Sequence, residues 1–180
     1  MSVETANAPI NLALAGNDRA IARFVAAARA VPAHAWSVPI KQASWTPAQV
    51  VEHIAITTEV AAGVVRGEGF GKVPFVMPLF RPMLRIWYNG VLKRGAFPAQ
   101  SKGPPVFKPS DSPPSLEPSL ERLARAGEVA GSTIRDFVAK GGETFKHPVF
   151  GKLDVVDYVR FGAIHTVHHA EQLEGVGSRG

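Results

Sequence analysis

The sequence contains no cysteine. That excludes disulfides, thiolate metal ligands, a cysteine nucleophile and any cysteine-held iron–sulfur cluster. Charged residues are sparse, at 19% of 180 residues, yet Glu4, Asp18, Arg19 and Arg23 interrupt the first thirty residues. No signal-peptide core can form there. No uncharged apolar run approaches the roughly 20 residues of a membrane span. A soluble cytoplasmic protein without stable membrane insertion is therefore expected. Acidic residues are missing from one long stretch, in which Lys72, Arg81, Arg85, Lys93, Arg94, Lys102 and Lys108 carry all the charge. Convincing strand-like alternation is lacking throughout.

What is present suits one folded unit, residues 1–180, since 46% of the residues are apolar and the length supports a single substantial core. After a loose first ten residues, Leu12, Leu14, Ile21, Phe24, Val25, Ala28 and Val31 recur at helical spacing, which predicts a first helix ending before Pro32. The second begins more sharply. Thr46 fits an N-cap, Pro47 the first helical position, and Gln49 completes a capping box, with Trp45 and Val50 placed for a hydrophobic staple. It fades near Gly67. Residues 67–116 are rich in proline and glycine, with a short helix expected from Pro82 to Lys93 and an extended segment from Gly103 to Pro118. A third long helix is expected from Ser115 or Ser119 to Lys140, stopped by Gly141 and Gly142. After a loop at His147–Gly151, a fourth starts at the N-cap Asp154 and runs to Gly175 or Gly177. The fold class expected is all-α: a four-helix bundle with an irregular, proline-rich, basic insertion (about 67–116) between helices 2 and 3.

Three of the six histidines, His165, His168 and His169, fall within five residues on the last helix. His165 and His169 lie one turn apart on one face, a spacing at which two imidazoles can chelate one metal if a third ligand comes from elsewhere. Tyr158, Phe161, Gly162 and Gln172 share that stripe. Buried imidazole nitrogens need hydrogen bonds or a metal. His168 could replace His169, at the cost of taking Gln172 off the stripe. On the second helix His53 shares an edge with Val50, Ile54 and Thr57 and should also point inward. His34 and His147 read as loop histidines. Glu52 and Glu59 could carry protons, but a solvated helix face suits both better.

The stretch Trp45-Thr46-Pro47-Ala48-Gln49-Val50-Val51-Glu52-His53 resembles the start of the second helix in the DinB/YfiT-like superfamily of metal-dependent hydrolases. His165-x-x-x-His169-x-x-Gln172 is similar to the paired histidines of that superfamily's last helix. The His147-Pro148-Val149-Phe150-Gly151-Lys152-Leu153 loop and the basic insertion look like an uncharacterised branch of it. The resemblance spans essentially the whole chain. It implies a four-helix bundle holding one divalent metal ion (zinc, nickel or iron) through His53, His165 and His169, with coordination positions left open. It further implies hydrolase or thiol-dependent transferase activity, with a small thiol as a cosubstrate, and a homodimer.

Gln49, Tyr158, His168 and Gln172 are candidates to orient ligands or substrate, because metal-bound imidazoles usually need an outer partner. The expected partner is a small molecule, with an anionic one preferred. No helix-turn-helix, phosphate loop or RNA-binding signature points to nucleic acid. The basic, aromatic insertion is best read as a flap or a dimer contact. The competing reading is a non-catalytic bundle that a metal stabilises or that binds a small ligand.

Overall fold

A computed structural model describes residues 8–42, 44–68, 77–98 and 105–178. Lys72, Phe75, Lys102 and most of the loose N-terminus lie outside those residues. The described chain is mostly helical, with α1 at Ala8–Arg29, α2 at Pro47–Val65, α3 at Met77–Arg94, α4 at Leu116–Ala139 and α5 at Val155–Gly177. Single 3-10 turns lie at Ala33–Ala35 and Pro105–Phe107.

Two expectations need correction. The helix foreseen at Pro82–Lys93 is longer, with 18 residues, and its Arg81 and Arg85 reach the carbonyls of Pro148 and Lys152. Those contacts dock α3 on the segment before α5. The loop foreseen there is a β-hairpin, β1 (Thr144–His147) paired antiparallel with β2 (Gly151–Asp154). Phe145 and His147 face inward while Thr144 and Lys146 face out. Gly151 takes φ +77°, which closes the turn and is costly for any residue with a Cβ.

Local signals set the helix ends. The Thr46–Gln49 capping box forms in both directions. Asp154 accepts the backbone N–H groups of Val156 and Asp157 at 2.8 and 3.1 Å. α4 stops where Gly141 adopts φ +80° and the N–H of Gly142 returns to the Phe137 carbonyl, satisfying an end carbonyl.

α1 packs chiefly on α5, and α2 on α4. Asn17 lies beside Gly162, Arg23 pairs with Glu174, and Ala30 abuts Gly177, so α1 and α5 run parallel. A Cβ at Gly177 would stand 3.3 Å from the Ala30 carbonyl oxygen, so glycine permits that approach. Glu59 pairs with Arg122 and Arg66 with Thr133, making α2 and α4 parallel as well. Parallel neighbours require long crossovers, and the stretches 67–116 and 140–154 lie within them.

Buried apolar residues form two clusters. One joins the hairpin to Tyr88 and the start of α5; the other joins Phe24, Val50, Val51, Ile54, Leu123, Ala170 and Leu173. α2 is long and apolar enough to cross a membrane by length and composition, but 61% of its most apolar window is buried within the protein. The buried set on α2 includes Glu52 and His53.

Candidate metal centre

The capping box fixes the start of α2, and seven residues past the cap His53 points into the interior, 4% exposed. On α5 the one-turn spacing brings His165 and His169 together, and His169 is 7% exposed. The Nε2 atoms of His53 and His165 are 3.3 Å apart, and those of His165 and His169 3.1 Å. One nitrogen from each ring lies within 4.8 Å of the others.

The outer nitrogens fix the protonation of this trio. His53 Nδ1 lies 2.7 Å from the Phe107 carbonyl oxygen, and His169 Nδ1 lies 2.9 Å from Gln172 Oε1. Both oxygens only accept, so both Nδ1 atoms carry the proton and both Nε2 atoms present lone pairs to the centre. A proton on His165 Nε2 could serve only one of them. Hydrogen bonding therefore leaves a buried lone pair unsatisfied, at a cost; one cation satisfies all three. Two nitrogens bound to one tetrahedral zinc lie about 3.3 Å apart, close to the 3.3 and 3.1 Å of the His53–His165 and His165–His169 pairs. The residues fit a divalent metal.

Electrostatics agree. Burial lowers the pKa of His53, against the opposing Phe107 hydrogen bond. Burial, then neighbouring imidazoles, hold His165 well below its ordinary value. Burial, helped by His53, pushes His169 down to about 3. All three imidazoles stay neutral, as ligation requires.

The trio that the fold brings together includes His169 and not His168. His168 stays outside the trio, its Nε2 3.2 Å from the Gln172 amide nitrogen, so Gln172 bridges the two histidines. A family model of the DinB superfamily matches residues 17–173. The chain belongs to the DinB superfamily. No curated protein and no solved structure matches it significantly. The match runs from within α1 to Leu173 in α5 and includes the three clustered histidines of this DinB chain.

The other sequence candidates lie elsewhere. Gln49 is occupied by the cap and by the Ser110 carbonyl. Tyr158 packs on Phe145 and His147 beside the hairpin. Glu52 is buried, not solvated, and accepts hydrogen bonds from Ser110. Glu59 lies at the surface, paired with Arg122. His147 is no loose loop residue: it is 6% exposed and its Nδ1 accepts the N–H groups of Val149 and Phe150. His34 is exposed, as expected of a loop histidine.

Two aromatic residues flank the trio: Trp45, which the sequence marks only as a staple residue, and Phe97, to which it assigns no role. The Trp45 ring lies 4.6 Å from that of His53, and the Phe97 ring 5.1 Å from that of His165. Trp45 was placed by its cap, but no local pattern ties Phe97 to a histidine 68 positions later.

Proposed function

We propose that this DinB protein is a metal-dependent enzyme, a hydrolase or small-thiol-dependent transferase, with one divalent ion (zinc, nickel or iron) held by His53, His165 and His169. The observation that carries it is the convergence of three neutral imidazole nitrogens in a cluster that includes no carboxylate. Structural zinc sites are normally closed by four protein ligands, whereas three leave a position for water or substrate. The ion would supply Lewis acidity there, to lower the pKa of water or of a thiol.

The protein's own residues do the rest. Phe107 and Gln172 hold the tautomers of His53 and His169. Trp45 and Phe97 give the centre apolar flanks, which strengthen its charge by excluding water. Three neutral ligands leave the ion's full positive charge, which favours a small anionic substrate or a thiolate. We further propose that α1, α2, α4 and α5 form the four-helix bundle of a single cytoplasmic domain, with 67–116 as the insertion, and that the protein acts as a homodimer without nucleic acid or stable membrane insertion.

The test is to strip the protein of metal and reload it with zinc, nickel or iron. The reloaded samples would then be assayed on activated esters and amides, and on electrophiles with small thiols. Turnover that chelator abolishes and His165→Ala lacks is expected. Tight metal binding with no turnover in any combination would favour the non-catalytic, metal-stabilised bundle.

A further inference from the structure

We propose that Glu52 is a positioning residue for His53, acting through Ser110 and the segment that carries the Phe107 carbonyl; this rests on the metal-centre reading above. Glu52 is 7% exposed, and carboxylates are rarely so buried unless paired. Its Oε2 accepts the Ser110 backbone N–H at 2.8 Å and the Ser110 hydroxyl at 2.9 Å. One turn earlier, the Gln49 amide donates to the Ser110 carbonyl at 3.1 Å. Ser110 is thus gripped by α2 at its N–H, its hydroxyl and its carbonyl.

Three residues before Ser110, the Phe107 carbonyl receives the His53 Nδ1–H at 2.7 Å. Glu52 and His53 are adjacent on α2, so their side chains diverge by about 100° around the helix. One grips the 107–110 segment, and the other depends on it. Pro109, within that segment, is buried, but apolar packing is non-directional and does not fix where a carbonyl points. Two hydrogen bonds to one carboxylate do. Released from Ser110, the Phe107 carbonyl would drift, and the His53 ring could turn about its broad χ2 torsion and withdraw Nε2 from the trio.

Arg122 supplies the control. It lies 3.7 Å from Glu52 but pairs closely with Glu59 at 2.6 and 2.7 Å. Removing Glu59 disturbs the same α2–α4 seam without touching Ser110. Zinc affinity should be measured by chelator competition for wild type, Glu52→Ala, Glu52→Gln, Ser110→Ala and Glu59→Ala. Glu52→Ala should weaken zinc binding by about 10-fold to 100-fold, the usual cost of losing an outer partner. Ser110→Ala should lose less, since the backbone N–H contact survives, and Glu52→Gln should recover part of the loss. Glu59→Ala should match wild type.

Nitrogen-15 NMR of the metal-free protein gives a readout independent of zinc. The His53 Nδ1–H proton should be protected in wild type and Glu59→Ala, and exchange fast in Glu52→Ala. Wild-type zinc affinity with a protected His53 proton in Glu52→Ala would overturn the proposal, as would an equal loss in Glu59→Ala. Should Glu52→Ala fail to fold, Ser110→Ala decides on the same two readouts. A wild type that binds no zinc would sink the metal reading, while the proton signal would still judge the Glu52 clamp.

Discussion

The Nε2 atoms of His53 and His165 stand 3.3 Å apart across 112 residues of chain. The contact joins α2 to α5, although α2 packs chiefly on α4 and α5 on α1. A metal bound there would tie one helix pair to the other. Metal that binds only the folded state adds about 4 kcal/mol at a thousand times its Kd. Thermal unfolding with zinc and with chelator should show a clear rise in Tm for wild type and none for His165→Ala. Equal Tm in both conditions for wild type would contradict the link.

Gln172 bridges His168 and His169, so the two histidines should respond differently to loss. His169→Ala removes a proposed ligand. Gln172→Leu leaves the ligand but frees its Nδ1–H, and should weaken zinc binding by about 10-fold to 100-fold. His168→Ala should keep full zinc stoichiometry. Chelator competition on the three variants checks the order.

Acid should destabilise the metal-free protein in a defined window. His147 accepts two backbone N–H groups through Nδ1, and burial lowers its pKa from 6.5 to about 4. Below about pH 6.5 the unfolded chain takes up a proton that the folded chain refuses. The His147 contribution is therefore complete above that pH and is lost as pH falls toward 4, on the order of 3 kcal/mol in all. His53, His165, His168 and His169 are lowered too and act in the same direction. Urea denaturation at about pH 7.5 and about pH 5 should show lower stability at the acid value, with a smaller drop in His147→Asn. Equal stability at both would be inconsistent with buried neutral histidines.

Two leucines of α1 should behave oppositely. Leu14 is 6% exposed, and Leu12 is 70% exposed. Leu14→Ala should cost about 2–5 kcal/mol through the cavity it leaves. Leu12→Ala should stay within about 0.5 kcal/mol of wild type. The denaturation midpoints decide.

What could be read from the sequence was local. The α2 cap needs only Thr46, Pro47 and Gln49, and the His165–His169 spacing only one helix turn. The pairing with His53 came from a resemblance, because nothing near His53 announces a partner on α5. The hairpin was missed because each strand has four residues, too few for alternation to stand out from a loop. Glu52 looked solvated because its partner Ser110 lies 58 positions later. Phe107 acts through its backbone carbonyl, which no side-chain pattern marks. Leu12 follows the helical period yet faces outward, since periodicity does not say which neighbour covers a face.

The most direct measurement is X-ray absorption spectroscopy of the zinc-loaded protein beside His53→Ala. Wild type should show three imidazole nitrogens at about 2.0–2.1 Å plus an exchangeable light-atom ligand, with one zinc per chain. His53→Ala should lose an imidazole and most of its zinc. A shell of four protein ligands, or a His53→Ala spectrum identical to wild type, would contradict an open centre built by His53, His165 and His169.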